Sequence, residues 1–345
     1  MDFEQNNNLT EGTEPQPVEP VQPVAEMPKK RTGWRIFWGI ILVLSVLANI
    51  VLFMVLIGVV AVFAAGRKGI FTEEVIQAGP RTTKIAVITV QGIINGEKAR
   101  DIYSQIKTAK EDKRVKGLII RVNSPGGTIS ASDEIYNEIL KYRSEEDKPV
   151  VAFMQGVAAS GGYYTSVACE KIIAEPTTIT GSVGVIASYF IFQELLEQKL
   201  GILPVIFKSG RKKDWPSLFQ PITEEQRQYI QEKLIAPAYN RFVEVVADGR
   251  EALTLDDVKR LADGSIYGAE EALAEKLIDK IGYLDEAIEQ VKLLAGIEKA
   301  QVVEYRRPFS LSYLLSSHSK NILKIDRTTL YELSTPQVLY LWSLY

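Results

Sequence analysis

Two residue types that enzymes rely on for nucleophiles, bases and metal ligands are nearly missing. The 345 residues hold one cysteine, Cys169, and one histidine, His318. A single cysteine excludes an intrachain disulfide and a multi-cysteine zinc site. In its setting, SVACEKII, Cys169 reads as a small buried residue and not as a reactive thiol. A single histidine near the C-terminus leaves any nucleophilic serine in the body of the chain without its usual base nearby in sequence. Strong net charge is missing as well. With 40 Lys and Arg against 43 Asp and Glu the balance is −3, which gives no reason to expect nucleic acid as a partner. No internal repeat stands out.

Charge disappears altogether from Ile36 to Gly66, IFWGIILVLSVLANIVLFMVLIGVVAVFAAG. About 20 helical residues span a bilayer, so this run crosses it even when tilted. A cleaved signal peptide has a shorter apolar core and a shorter lead, and a core helix would carry a polar face, so a retained anchor is expected over 34–66. Lys29, Lys30, Arg31 and Arg35 precede the run and Arg67 and Lys68 follow it, an excess that places the N-terminus in the cytoplasm and the larger part outside. Residues 1–28 have six acids, four prolines before Pro28 and no Lys or Arg. The segment to residue 33 is therefore expected to be a disordered cytoplasmic tail, since it cannot bury enough apolar area to fold.

After a linker, 67–83, the pattern changes. KIAVITV, KGLIIRVN, KPVVAFMQG and KIIAE are short β-branched runs whose near-continuous apolarity suits strands covered on both faces. Ala131, Ile135 and Ile139 recur at helical spacing between them, so an α/β domain with a mostly parallel sheet is expected. From residue 222 the chain turns helical. Thr223 with Gln226 fits a capping box, and an apolar repeat at Ile230, Leu234, Ala238, Phe242 and Val246 runs to Gly249, with Pro237 expected to kink or split the helix. Further helix starts fall at TLDDVKRLA and AEEALAEKLIDKIG. Residues 298–345 are Tyr- and Leu-rich and weakly periodic.

Loops at the carboxyl ends of parallel strands are where such folds place their sites, and four segments qualify as candidates. NSPGG, 123–127, has a proline and two glycines that let backbone amides face an oxyanion. GVAASGGYYTSVA, 156–168, sets Ser160 at a tight turn before a helix. Its hydroxyl and the Gly161 amide would share one space, or the serine would merely cap the helix. FKSGRKKDW, 207–215, offers lysines, one of which can replace histidine as general base if burial lowers its pKa from about 10.4 toward neutrality; four cations close together also suit a solvated loop. TITGSVGVI, 178–186, holds Ser182 in a Gly-bounded turn.

The order and spacing of NSPGG, AASGGYY, TGSVGVI, KLGI, KSGRKKD and ADGSIYGAEEALAEKLID closely resemble the signal peptide peptidase A family of membrane-anchored serine proteases, over about residues 84–295. The resemblance is to the short, single-domain Gram-positive form. It implies a Clp protease/crotonase-like fold for a domain at 84–297, with Ser160 as nucleophile and Lys213, not Lys208 or Lys212, as general base. Ser182 would steady the lysine amine, and the amides of Gly127 and Gly161 would form the oxyanion hole. It further implies that the lysine reaches the serine of a neighbouring protomer in a ring of eight, and that the substrates are signal peptides left in the membrane. No cofactor or metal is implied. The competing readings are a crotonase-like acyl-CoA enzyme, a non-catalytic membrane scaffold, and a histidine triad built on His318. The tail, 298–345, resembles a peptide substrate in composition and is expected to regulate the active site or to be processed by it.

Overall fold

The computed structural model describes residues 32–65, 71–307 and 337–342. The expected N-terminal tail, most of the C-terminal tail and His318 lie outside the described residues. The chain divides into two units, Met1–Ala65 and Gly66–Tyr345. The described part of the first is one helix, α1 (Thr32–Ala65), long and apolar enough to cross a membrane. Its large side chains are exposed along its length, the arrangement of a helix whose solvent is lipid.

The second unit is a mixed α/β structure. Its elements in chain order are β1 (Thr72–Gln77), β2 (Lys84–Gln91), α2 (Gly96–Glu111), β3 (Val115–Ser124), β4 (Gly126–Thr128), α3 (Ile129–Glu146), β5 (Val150–Ala159), α4 (Gly161–Ser166), β6 (Lys171–Ala174), β7 (Ile179–Gly181) and β8 (Ile186–Ser188). After a long irregular stretch come α5 (Glu224–Ile230), α6 (Ala236–Gly249), α7 (Leu255–Leu261), β9 (Ile266–Gly268), α8 (Ala269–Ala274), β10 (Lys280–Ile281), α9 (Leu284–Ala295), β11 (Gln301–Arg306) and β12 (Gln337–Leu341). The main sheet runs β1-β11-β2-β3-β5-β6-β10, parallel throughout except for β1, which pairs antiparallel with β11 at the edge.

Alternate residues of each central strand enter two cores, which is why these runs are apolar without interruption. Ala86, Ile88 and Val90 of β2 face the larger core with α2, α3, α4 and α6, while Ile85 and Val87 face a smaller one closed by Ala287, Ile288 and Val291 of α9. Each of these isoleucines and valines, fully buried, stabilises the fold by about 1.5–3 kcal/mol. β5 changes partners along its length: Val151–Met154 pair with β6, and Val157–Ala159 pair with β7. Gly156, at φ +66°, lies at the change. This hand-over aims the end of β5 at the loop after β7.

Pro237 splits its helix, as the sequence predicts: a π-helical turn at Gln231–Ile235 separates α5 from α6, with Pro237 in the first turn of α6. The wider turn removes the backbone hydrogen bond a proline cannot make. The expected capping box at Thr223 and Gln226 is present in both directions.

Arg250, 7 % exposed, closes the C-terminal end of α6. It donates to Asp279 Oδ2 at 2.7 Å and to the Lys276 carbonyl at 2.9 Å, and Asp279 also accepts from the Ile172 amide at 2.8 Å. Burial pushes the Asp279 carboxyl up, but the Arg250 hydrogen bond and charge outweigh it and hold the group below its ordinary value. A carboxyl with a lowered folded-state pKa stabilises the fold above its unfolded pKa and loses that contribution as pH falls. Arg250→Met is therefore expected to cost about 3 kcal/mol at neutral pH, and progressively less as pH falls below about 4 toward the lowered pKa of Asp279. Thermal melts of both proteins across that range measure the difference.

Candidate active site

Three strand ends converge. Ser160 follows β5, Ser182 follows β7, and the N-S-P-G-G loop closes β3. The Ser160 amide donates to the Gly181 carbonyl at 2.8 Å, and the Ser182 amide donates to the Ser265 carbonyl at 2.7 Å, so the two serine turns are bonded into one structure. Both serines have left-handed backbone, φ +53° and +50°. For a side chain other than glycine that geometry costs about 1–3 kcal/mol, and it marks sites where position matters more than local ease. Ser160 is buried and precedes α4, yet its hydroxyl makes no capping hydrogen bond to the helix. The alternative in which it merely caps α4 is thereby removed. Ser160 and Ser182 instead line a common cavity of 280 Å³ with Gly184, Val185, Ile186, Tyr239, Asp263 and Leu341.

Beside Ser160 lies the glycine turn. Gly126 takes φ +101°, closed to other residues at little cost. Gly127 bridges to Ile94, whose carbonyl oxygen lies where a methyl group at Gly127 would approach it to 1.9 Å, so no side chain fits there. A methyl at Gly161 would meet the Ser132 hydroxyl at 2.5 Å. The glycines thus bring bare backbone from β4 and α4 together.

A piece of the chain's own C-terminal tail occupies this place. β12 inserts between β4 and β8 as the middle strand of a three-stranded antiparallel sheet. Tyr340 is opposite Gly127, and the Trp342 amide donates to the Pro125 carbonyl at 2.8 Å. In an antiparallel ladder bonded pairs alternate, so Tyr340 and Gly127 exchange N–H···O bonds. The Tyr340 carbonyl oxygen also packs against Gly161, where a methyl would meet it at 3.1 Å. Its side chain is fully buried against Tyr164 and Phe242, at ring distances of 5.0 and 4.6 Å, and its hydroxyl donates to the Ala238 carbonyl at 2.7 Å. Tyr164 is held in turn by a 2.5 Å bond to Asp133, which Arg241 also contacts at 3.1 Å. Leu341, the next residue, lines the same cavity as Ser160.

The lysine loop lies elsewhere. Lys208 pairs with Asp214 at 2.8 Å, Arg211 with Glu225, and Lys212 stands 4.4 Å over the Tyr229 ring and 5.3 Å over that of Trp215. None of these contacts involves Lys213, which is exposed and is not among the residues lining the Ser160 cavity. The chain therefore brings together Ser160, Ser182, Gly127 and Gly161, but leaves Lys213 outside. Of the other titratable groups in the cavity, Asp263 is held below the ordinary carboxyl range by the Ser265 hydroxyl and then by the Ser265 amide, which donates to it at 2.8 Å, and this makes it a poor proton acceptor. Cys169 is buried, and burial pushes its thiol up, as expected of an inert residue.

Sequence reading missed the aromatic pocket of Tyr136, Tyr164 and Phe242, the cavity residues Tyr239 and Asp263, and β12 itself. The signal available was the tyrosine pair after the two glycines of AASGGYY. Tyr163 goes to the core and bonds the Leu277 carbonyl, whereas Tyr164 faces the tail. Near the lysine loop a run of apolar side chains lies exposed, including Phe190, Leu203, Val205 and Phe207, the last 94 % exposed.

Residues 142–298 match the family model for Peptidase family S49, and residues 72–179 match that for Clp protease. A relative from Enterococcus faecium named "Putative signal peptide peptidase SppA" is 42% identical over 246 residues, 68% of this chain and 70% of its own. The chloroplastic serine protease SPPA of Arabidopsis thaliana is 34% identical over 67% of this chain and 34% of its own. Protease 4 of Salmonella typhi is 32% identical over 69% of this chain and 39% of its own.

Proposed function

We propose, from the premise that this chain belongs to peptidase family S49 and is a serine peptidase with a Clp protease-like fold, that it cleaves signal peptides and similar apolar peptides with a Ser160–Lys213 dyad. The observation that carries this is β12. A strand of peptide lies in the cleft with its Tyr340 carbonyl between Gly127 and Gly161, beside a Ser160 hydroxyl not used for capping. The Ser160 Oγ attacks that carbonyl carbon and its proton passes to the neutral Lys213 amine. The amides of Gly127 and Gly161 bind the oxyanion. Collapse breaks the C–N bond, and the lysine ammonium returns its proton to the leaving amine. Water, with the same amine as base, then releases the acyl group from Ser160. Ser182 orients the amine. Substrate adds as a strand between β4 and β8, so affinity comes from main-chain bonds and selectivity from the aromatic pocket.

Lys213 is supplied by a neighbouring subunit in a ring of eight. Its absence from the lining of its own chain's cavity and the exposed apolar side chains at 190–207 support this, since a subunit interface both buries such side chains and desolvates a lysine. The helix α1 anchors each subunit with the N-terminus in the cytoplasm and the peptidase domain outside, as the flanking cations favour. A crotonase-like acyl-CoA enzyme would have no use for a nucleophile at Ser160. Reaction of the assembled protein with a fluorophosphonate probe separates the two: Ser160 is labelled if the proposal holds, and absence of label from active protein overturns it.

The tail is both plug and first substrate, cut between Tyr340 and Leu341. Its tyrosine hydroxyl bond to Ala238 is worth about 1 kcal/mol, so Tyr340→Phe should slow tail cleavage about five-fold. Tyr340→Asp, which would bury a carboxylate among aromatic rings, should leave the tail uncut. A mass-spectrometric time course on the purified variants reads both rates.

A further inference from the structure

The proposed chemistry gives no task to Ser124, the serine of N-S-P-G-G, although its side chain is wholly buried. Its hydroxyl donates to the Gly92 carbonyl at 2.6 Å and accepts the Gly126 amide at 3.1 Å. It thus ties the loop after β2 to the turn after β3. The Gly126 carbonyl is also engaged, accepting from the Ile94 amide at 2.9 Å, and the Thr128 amide donates to the Ile94 carbonyl at 2.8 Å. The amides on either side of Gly127 are therefore committed, that of Gly126 to Ser124 and that of Thr128 to Ile94, while Gly127 is paired with Tyr340 in the β4–β12 ladder. Two adjacent glycines have many backbone conformations open to them, and nothing in their own chemistry chooses which amide faces the substrate.

We infer that Ser124 is a positioning residue of the oxyanion hole: by binding the Gly126 amide it assigns the donor role to Gly127 and holds that amide in line with Gly161. Ser132 performs a parallel service from α3. Also wholly buried, it donates to the Thr128 carbonyl at 3.0 Å and packs against Gly161. The inference rests on the reading of Ser160 as nucleophile. An oxyanion donor displaced by a fraction of an ångström loses most of its effect on a tetrahedral adduct while peptide binding, spread along a whole strand, hardly changes.

The test compares two probes on the full, assembled chain: a peptide of sequence Val-Leu-Tyr ending in an aldehyde, which forms a tetrahedral adduct with a nucleophilic serine, and the same peptide ending in an alcohol, which does not. The resident tail competes equally with both, so their ratio of inhibition constants is the reading. Ser124→Ala should weaken the aldehyde about 10- to 100-fold and leave the alcohol unchanged. Ser124→Thr, which keeps the hydroxyl, should restore the wild-type ratio. If Ser124→Ala is not recovered folded, Ser124→Cys, with its poorer acceptor, is read on the same scale. An unchanged ratio in the folded variant, or equal weakening of both probes, overturns the role of Ser124. A wild-type chain that binds the aldehyde no more tightly than the alcohol overturns the nucleophile itself.

Discussion

Purified wild-type protein should end at Tyr340, and Ser160→Ala should keep Leu341 and everything after it. Intact-mass spectrometry of the two preparations makes the comparison. The expectation follows from three placements: the Tyr340 carbonyl between Gly127 and Gly161, Leu341 in the cavity of Ser160, and a Ser160 hydroxyl that does not cap α4. Removing the nucleophile should lower peptidase turnover about 10⁶-fold, the scale seen when a serine hydrolase loses its serine. Identical C-termini in both proteins would mean that the tail is a fixed strand of the fold. A cut at another bond would mean that the strand slides in register before it is attacked.

Lys213→Ala should be as inactive as Ser160→Ala, and the two together should recover what each lacks. If every site draws its serine from one subunit and its lysine from the next, random co-assembly of equal amounts gives about a quarter of the sites both groups. Co-expressed chains should then show about a quarter of wild-type peptidase activity. If each subunit used its own lysine, every mixed ring would stay inactive. Lys208 is tied to Asp214, Arg211 to Glu225 and Lys212 to two aromatic rings, and none of these contacts involves Lys213, which is exposed. Among the described residues, Phe190, Leu203, Val205 and Phe207 of the neighbouring run stay exposed.

The sequence carried the parts of this fold that short-range chemistry specifies. Apolar runs marked β2, β3, β5 and β6, a Thr–Gln pair marked the start of α5, and one uncharged run marked α1. Order and spacing of the loop motifs placed Ser160, Ser182, Gly127 and Gly161, which the fold brings to one place. What stayed hidden depends on distant pairing. QVVEYR is too short and mixed to declare itself, and it becomes β11 only because β2 and β1 flank it. α9 packs on the sheet through Ala287, Ile288 and Val291, a stripe whose meaning depends on the opposite face of β2 and β5. β12 is a strand only by virtue of the open edges of β4 and β8.

The left-handed backbone at Ser160 has a consequence for how the protein can change over time. Glycine accepts φ +53° far more readily than serine, so a one-residue exchange to glycine there relaxes the turn while deleting the hydroxyl. On the proposed reading of Ser160 as nucleophile, stability and activity pull in opposite directions at this position. Within such a lineage, a copy released from its catalytic duty would drift toward a more stable fold by giving up the serine first. A serine retained in that conformation is one that selection for activity holds against the slope of folding free energy.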